Sequence, residues 1–172
     1  MAILFKTFKK RIFNSGPVLF LYYLSISDID AQFSNTFEIL SFNIQLIIIY
    51  YWKLKSNFFL GNGHIFMAGI INDVVMGLPL GISALTYLIV SLVASYIKNV
   101  TVNISLFTDW FTFLIAIFFS NLFFLILIYN FTNFQITYTE IFYNSFFTML
   151  FYPFFWVIFN FYKSFMLVKN DD

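Results

Sequence analysis

The stretch that decides the fold is residues 61–85, which read GNGHIFMAGIINDVVMGLPLGISAL. It holds five of the six glycines in the chain, and it places the carboxylate of Asp73 inside a run that is otherwise apolar. Gly69, Asp73 and Gly77 are spaced four residues apart, so on a helix they lie on one face. Two glycines beside a carboxylate leave a notch where another helix backbone can come close. We predict that the notch and the turn after it form a helix-packing interface, made by Gly69, Asp73, Gly77, Pro79 and Gly81.

Asp73 is unusual in its position as well as in its charge. It lies about one turn before the break at residues 77–81, near the C-terminus of a predicted helix, where the helix dipole disfavours an anion. A carboxylate at the middle of a bilayer costs roughly 2.5–3.5 kcal/mol on insertion scales, and less near an interface. We therefore expect the carboxylate either to be buried against a hydrogen-bond donor or to reach the headgroup region.

The composition is typical of a polytopic membrane protein, and the length of 172 residues fits a single domain. Hydrophobic residues make up 61% of the chain and charged residues 10%, whereas soluble proteins average about 45–50% and 25%. A soluble fold cannot hide so much apolar surface. The chain has no cysteine, which excludes disulfides and thiolate chemistry, and a net charge of +1 implies no nucleic-acid partner.

Successive apolar runs predict an all-α bundle of six transmembrane helices. Each run is bounded by charged, polar or Gly-Pro segments, and a spanning helix needs about 20 apolar residues. Pro153 removes a backbone hydrogen bond inside the last run and is expected to kink that helix. The predicted spans are residues 12–27, 39–52, 58–76, 82–97, 107–129 and 141–162.

The distribution of charge along the chain predicts the orientation in the membrane. If the N-terminus is cytoplasmic, all nine Lys and Arg residues fall in cytoplasmic segments, whereas the outer loops carry Asp28, Asp30 and Glu140. This segregation follows the positive-inside rule and predicts that both termini are cytoplasmic. We expect a basic cytoplasmic surface that attracts anionic lipid or an acidic partner, made by Lys6, Lys9, Lys10, Arg11, Lys53 and Lys55.

Residues suited to catalysis or to cofactor binding are scarce. His64 is the single histidine, with no clustered ligands beside it, so we expect an interfacial polar residue and not a metal site. The sequence contains no phosphate-binding glycine loop, and one histidine does not define a Ser/His/Asp set, so we predict neither an enzyme nor a cofactor. Asp109, beside Trp110 at the inner end of the fifth span, is expected to be interfacial.

Amide side chains are spread through the apolar spans. Such groups tie helices together through hydrogen bonds worth about 0.6–2 kcal/mol each. The alternative interpretation is that they line a path for a solute. The residues concerned are Asn43, Gln45, Asn72, Asn121 and Asn160.

Three motifs occur in order along the chain. An aliphatic run ends in Tyr-Tyr-Trp at residues 50–52, the pattern G-x-x-x-D-x-x-x-G-x-x-x-G covers residues 69–81, and Tyr-Pro-Phe-Phe-Trp occupies residues 152–156. In order and spacing over roughly residues 37–165, they resemble the rod shape-determining protein MreD family, whose members have a similar length. The chain departs from that family at residues 42–43, Phe-Asn, where the family often has Pro followed by a polar or acidic residue.

The resemblance implies a non-enzymatic protein of the bacterial inner membrane that acts in cell shape and lateral peptidoglycan synthesis. It implies binding to the periplasmic scaffold MreC, and through MreC a link to MreB filaments, the polymerase RodA and its transpeptidase partner. The Gly69/Asp73/Gly77 face would then pack within the bundle or on a partner's transmembrane helix. The implied fold is similar to the six-helix substrate-binding subunits of energy-coupling-factor vitamin transporters. Function as such a subunit is the alternative, and it predicts an outward-opening pocket lined by polar and aromatic groups.

Overall fold

The computed structural model describes residues 2–27, 43–55, 60–101, 105–131 and 138–168, with side chains described from Ser15 in the first helix to Ser164 in the last. Within these residues the fold is all-helical, which confirms the predicted class. The helices are α1 (Ala2–Ser27), α2 (Ile44–Lys55), α3 (Asn62–Met76), α4 (Ile82–Val100), α5 (Leu106–Phe131) and α6 (Tyr138–Val168).

Three helices of the described chain are long and apolar enough to cross a membrane. They are Ile82–Val100, Leu106–Phe131 and Tyr138–Ser164, at the positions of the last three predicted spans. α1 carries a shorter apolar part, Ser15–Ser27. Helix length and composition therefore indicate a membrane protein, and the crossing of the membrane by all six helices stays a prediction.

Several helix boundaries differ from the predicted spans. α1 begins at Ala2, well before the predicted start at residue 12. The basic segment before that residue and the first apolar run therefore form one helix, which contains Pro17. α6 continues through Pro153 and extends past the predicted span at both ends. The predicted starts of the second and third spans, residues 39 and 58, lie outside the described residues.

α2 lies at the centre of the bundle. Its residues 45–54 are all buried, and the helix contacts α1, α4, α5 and α6. A helix that is apolar around its whole circumference is stable where other helices cover every side of it. The Ile-Ile-Ile-Tyr-Tyr-Trp run at residues 47–52 therefore forms the core of the bundle.

α5 and α6 are the most exposed of the membrane-length helices. In the most apolar window of each helix, 28% of the residues of α5 and 11% of those of α6 are buried, compared with 44% for α4. A helix satisfies its backbone hydrogen bonds internally, so it can present such a face to lipid or to another apolar helix. Their outward-facing aromatic residues include Phe111, Phe118, Phe142, Phe146, Phe154 and Phe161.

The helices run back and forth between two chemically different ends of the bundle. At one end, Lys53 lies within electrostatic reach of Lys98, and Lys163 lies within reach of Lys55 and Lys98. We call this the lysine end, and we call the opposite end, which contains the turn between α3 and α4, the Asp73 end. Collection of these lysines at one end is the arrangement that the positive-inside prediction requires.

Candidate functional site

The turn between α3 and α4 stops one helix and starts the next within five residues, 77–81. Gly77 adopts the left-handed conformation at φ 65° and ψ 23°, which side chains other than hydrogen disfavour. The N–H of Leu78 donates to the carbonyl oxygen of Asp73 at 2.9 Å, so a carbonyl at the end of α3 is satisfied. Pro79 has no N–H and cannot continue a helix. The Gly-Leu-Pro-Leu-Gly sequence thus reverses the chain locally.

Asp73 is fully buried, and its carboxylate binds backbone donors of the same chain. The N–H of Gly81 donates to Oδ2 at 2.7 Å, and the N–H of Ser83 donates to Oδ1 at 2.7 Å. Both donors belong to the start of α4, where the first N–H groups of a helix have no partner within it. The carboxylate therefore caps α4. Of the two expectations for Asp73, the structure supports burial against a hydrogen-bond donor.

Gly69 allows α3 and α4 to approach closely. A Cβ atom at Gly69 would lie 2.3 Å from Cα and 2.6 Å from the nitrogen of Ala84, which is too close for non-bonded atoms. The predicted notch is thus filled by α4, and a partner's helix has no room in it. Gly77 differs, because it lies beyond the end of α3 and a Cβ there would meet nothing within 4 Å. The left-handed backbone, and not helix packing, favours glycine at Gly77.

A cavity of about 400 Å³ opens beside the turn at the Asp73 end. All five helices from α2 to α6 contribute to its wall, which combines amide, hydroxyl, aromatic and aliphatic side chains with one carboxylate, Glu140. Four of the five amide residues that the sequence analysis places in predicted spans line it: Asn43, Gln45, Asn72 and Asn121. The convergence of these polar groups is not apparent from the sequence, because the residues belong to five different helices and their flanking turns.

Three of these amides also connect helices, as the sequence predicts. Asn72 Nδ2 donates to Ser83 Oγ at 3.1 Å and links α3 to α4. Asn121 donates to Ser145 and links α5 to α6. Gln45 Nε2 donates to the carbonyl oxygen of Leu24 at 3.4 Å and links α2 to α1. The cavity wall is therefore held in place by hydrogen bonds that use the amide N–H groups.

A second polar site lies at the lysine end and joins three helices. Lys55 Nζ of α2 lies 2.9 Å from Asp109 Oδ2 of α5, and the indole N–H of Trp156 of α6 donates to the same oxygen at 2.8 Å. Lys55 Nζ also lies 5.7 Å from the centroid of the Trp156 ring, within the range of a cation–π contact. Asp109 is 1% exposed, so this is a buried ion pair.

This second site corrects two expectations. Asp109 was expected to be interfacial, and it is instead buried between helices that are distant in sequence. Lys55 is engaged by Asp109, and Lys53 is only 6% exposed, so neither belongs to an open basic surface. The other predicted members of that surface lie on α1, and their side chains are outside the described residues: Lys6, Lys9, Lys10 and Arg11.

His64 lies at the first turns of α3, exposed, with its Nδ1 3.0 Å from the hydroxyl of Tyr22 on α1. That placement agrees with an interfacial polar residue. In the part of the chain that the structure describes, no group of three or more His, Asp or Glu side chains is arranged to hold a metal ion.

Comparison of the chain with models of known protein families, with curated proteins and with solved structures found no match. The resemblance to the MreD family therefore stays a prediction from the three motifs.

Proposed function

We propose that this protein is a non-enzymatic adaptor of the bacterial inner membrane that links the components of a cell-wall elongation complex. The observation that carries the proposal is that both buried carboxylates, those of Asp73 and Asp109, are paired with groups of the same chain. Asp73 is held by two N–H groups, and Asp109 is held by Lys55 and Trp156. Neither buried carboxylate is left to transfer a proton or to attack a substrate, and both fix the helices relative to one another.

The proposed partners are those that the family resemblance implies. An MreC-like scaffold with one membrane helix would bind this protein directly, and MreB-like filaments, a RodA-like polymerase and its transpeptidase would be reached through that scaffold. Because α4 fills the notch at Gly69, we place the partner's helix on the exposed aromatic face of α6. The basic residues near the N-terminus would add attraction to anionic lipid of about 1 kcal/mol each.

Affinity purification from native membranes in mild detergent tests this proposal. Phe154 and Phe161 are seven residues apart on α6 and are 62% and 76% exposed. The double variant Phe154→Ala, Phe161→Ala should lower the recovery of an MreC-like scaffold several-fold. The control is the double variant Leu92→Ala, Tyr96→Ala, which trims an exposed face of α4 equally (62% and 70% exposed) and should leave recovery unchanged. Absence of any wall-elongation protein in the wild-type preparation contradicts the adaptor function.

The second candidate is the substrate-binding subunit of an energy-coupling-factor transporter. The cavity at the Asp73 end favours it, because the positive-inside prediction turns that end outward and the wall is polar and aromatic. The same purification separates the two functions. Recovery of a pair of ATPases with a membrane coupling subunit supports the transporter, whereas recovery of a scaffold with wall-synthesis enzymes supports the adaptor.

A further inference from the structure

The cavity at the Asp73 end has the dimensions of a small-molecule site. Ligand pockets in proteins enclose about 300–1,000 Å³, and this cavity measures about 400 Å³. Its deeper polar residues are buried rather than loosely exposed: Gln45 and Asn72 are each 8% exposed, and Ser83 and Thr86 are 4% and 5% exposed. Polar groups buried to this degree in a membrane bundle are costly unless they are hydrogen-bonded.

The hydrogen-bonding capacity left in the wall includes three amide oxygens that can accept from a ligand. One N–H of each of the amides Gln45, Asn72 and Asn121 donates to Leu24, Ser83 and Ser145, respectively. The carbonyl oxygens of these three amides have no hydrogen-bond donor within the described residues. Thr86 donates its hydroxyl proton to the carbonyl oxygen of Ile82 at 2.7 Å, whereas Ser83 keeps its hydroxyl proton and each of the three amides keeps a second N–H, so the wall can also donate.

The charge of the wall is negative. Glu140 is the charged residue of the lining, and none of the described lining residues is Lys, Arg or His. The buried carboxylate of Asp73 lies directly behind the wall, hydrogen-bonded to the N–H of Ser83. An anion would therefore meet like charge, which is a repulsive element. Tyr87 and Phe124 supply aromatic surface, which attracts cations.

We propose that this cavity binds a small organic amine in its protonated form. Its N–H groups donate to the carbonyl oxygens of Gln45, Asn72 and Asn121, and its charge is balanced by Glu140 at the mouth. The carbon skeleton of the amine packs on Tyr87 and Phe124. The inference rests on the cavity alone, so it holds whether the protein is an adaptor that senses the amine or a subunit that carries it.

Calorimetric titration of the purified full-length protein in detergent micelles tests the proposal with three probes of nearly equal shape. Tyramine is a cation at neutral pH, 4-hydroxyphenylacetamide is neutral, and 4-hydroxyphenylacetate is an anion. We expect tyramine to bind most tightly, the amide at least about tenfold more weakly because a charge-assisted hydrogen bond is lost, and the acid not at all. Equal or tighter binding of the acid overturns the proposal, and so does failure of all three probes to bind.

Variants of the wall make the test specific to this cavity. Glu140→Gln, at an exposed residue, should weaken tyramine by about two- to fivefold and leave the neutral amide unchanged. Gln45→Met should weaken tyramine by about tenfold or more. Asn160→Leu, an amide outside the cavity, is the control and should bind as the wild type does. Wild-type affinity in both Glu140→Gln and Gln45→Met overturns the proposed site. Because these titrations use the isolated protein, their failure leaves the adaptor proposal intact, and that proposal fails only in the purification from membranes.

Discussion

Asp73 lies near the C-terminus of α3 and, at the same time, at the N-terminus of α4. The first position disfavours its charge and the second favours it, because the dipoles of the two helices point their opposite ends at the same carboxylate. The contact with α4 is the closer one, since two N–H groups of α4 lie 2.7 Å from the carboxylate oxygens. Because the turn is short, the dipole at the N-terminus of α4 offsets the unfavourable dipole at the C-terminus of α3.

Replacement of Asp73 by Asn should destabilise the protein by about 1.5–3 kcal/mol, the range for a hydrogen bond to a charged group. The amide has one acceptor oxygen, so it keeps only one of the two N–H bonds that Gly81 and Ser83 donate. Thermal unfolding in detergent should show a midpoint about 3–12 °C lower. The matched control is Glu140→Gln, the same chemical change at an exposed carboxylate, which should leave the midpoint within about 1 °C. Equal midpoints for the two variants would show that the cap does not depend on charge.

Gly69 and Gly63 both lie on α3. Replacement by Ala is expected to have opposite effects on the stability of the protein at these two positions. At Gly69 the new methyl group would overlap the backbone of Ala84, so helix α4 must move, at a cost of about 1–3 kcal/mol. At Gly63 the methyl group meets nothing within 4 Å, and Ala should stabilise the helix by up to about 1 kcal/mol. Unfolding of both variants in the same detergent provides the measurement. A Gly69→Ala variant as stable as wild type would mean that α3 and α4 are not in backbone contact.

The Lys55–Asp109–Trp156 contact ties α2 to α5 and α6, and its two charged partners are not equivalent. Lys55 is 12% exposed at the end of α2, whereas Asp109 is 1% exposed. After loss of Asp109, the long side chain of Lys55 can reach water at the lysine end. After loss of Lys55, the carboxylate stays buried with the indole N–H of Trp156. Loss of Lys55 should therefore destabilise the protein more than loss of Asp109.

Lys55→Met should destabilise the protein by about 3–5 kcal/mol, because it leaves a buried carboxylate without its counter-ion. Asp109→Asn should cost less, about 1–2 kcal/mol, since the amide oxygen still accepts from Trp156. The double variant should recover most of the loss seen in Lys55→Met. Lys98→Met is the control, because Lys98 forms no ion pair within the described residues, and its effect should stay below about 0.5 kcal/mol. Additive effects of the two single changes would show that the charges do not interact.

The helical class and the order of the helices were readable from the sequence because apolar runs and their breaks depend on local residue types. The reversal at residues 77–81 was readable for the same reason, since Gly and Pro restrict the backbone where they occur. The run 107–129 became α5 with little change in its bounds, because it is apolar on every side. The structure of the basic segment at the start of α1 was harder to predict. A basic amphipathic segment is compatible both with a separate position on the membrane surface and with a helix continuous with the following span.

The contacts of the polar sites were harder to predict from the sequence. The interacting groups are either distant along the chain or are backbone N–H groups, which the residue type does not reveal. The donors to Asp73 are backbone N–H groups, which every residue except proline has. Lys55 and Asp109 are both placed at the cytoplasmic end by the span assignment, so opposite charges at equal depth were a usable signal for their contact. The cavity depends on which helices are neighbours, because its amides come from residues as far apart as Asn43 and Asn121. Spacing along one chain does not contain that information.

The two ends of the bundle should face opposite sides of the membrane, and the absence of native cysteine makes this directly testable. The 19 residues of α4 span about 28 Å as a helix, close to the roughly 30 Å of a hydrocarbon core. Leu80, 69% exposed at the Asp73 end, and Asn99, exposed at the lysine end, are suitable sites for single cysteines. A membrane-impermeant maleimide should label Leu80→Cys in intact cells and Asn99→Cys only after the inner membrane is permeabilised. Labelling of both in intact cells would show that α4 does not cross the membrane. The reverse pattern would place the lysines outside, because α4 would then cross in the opposite direction, against the positive-inside rule.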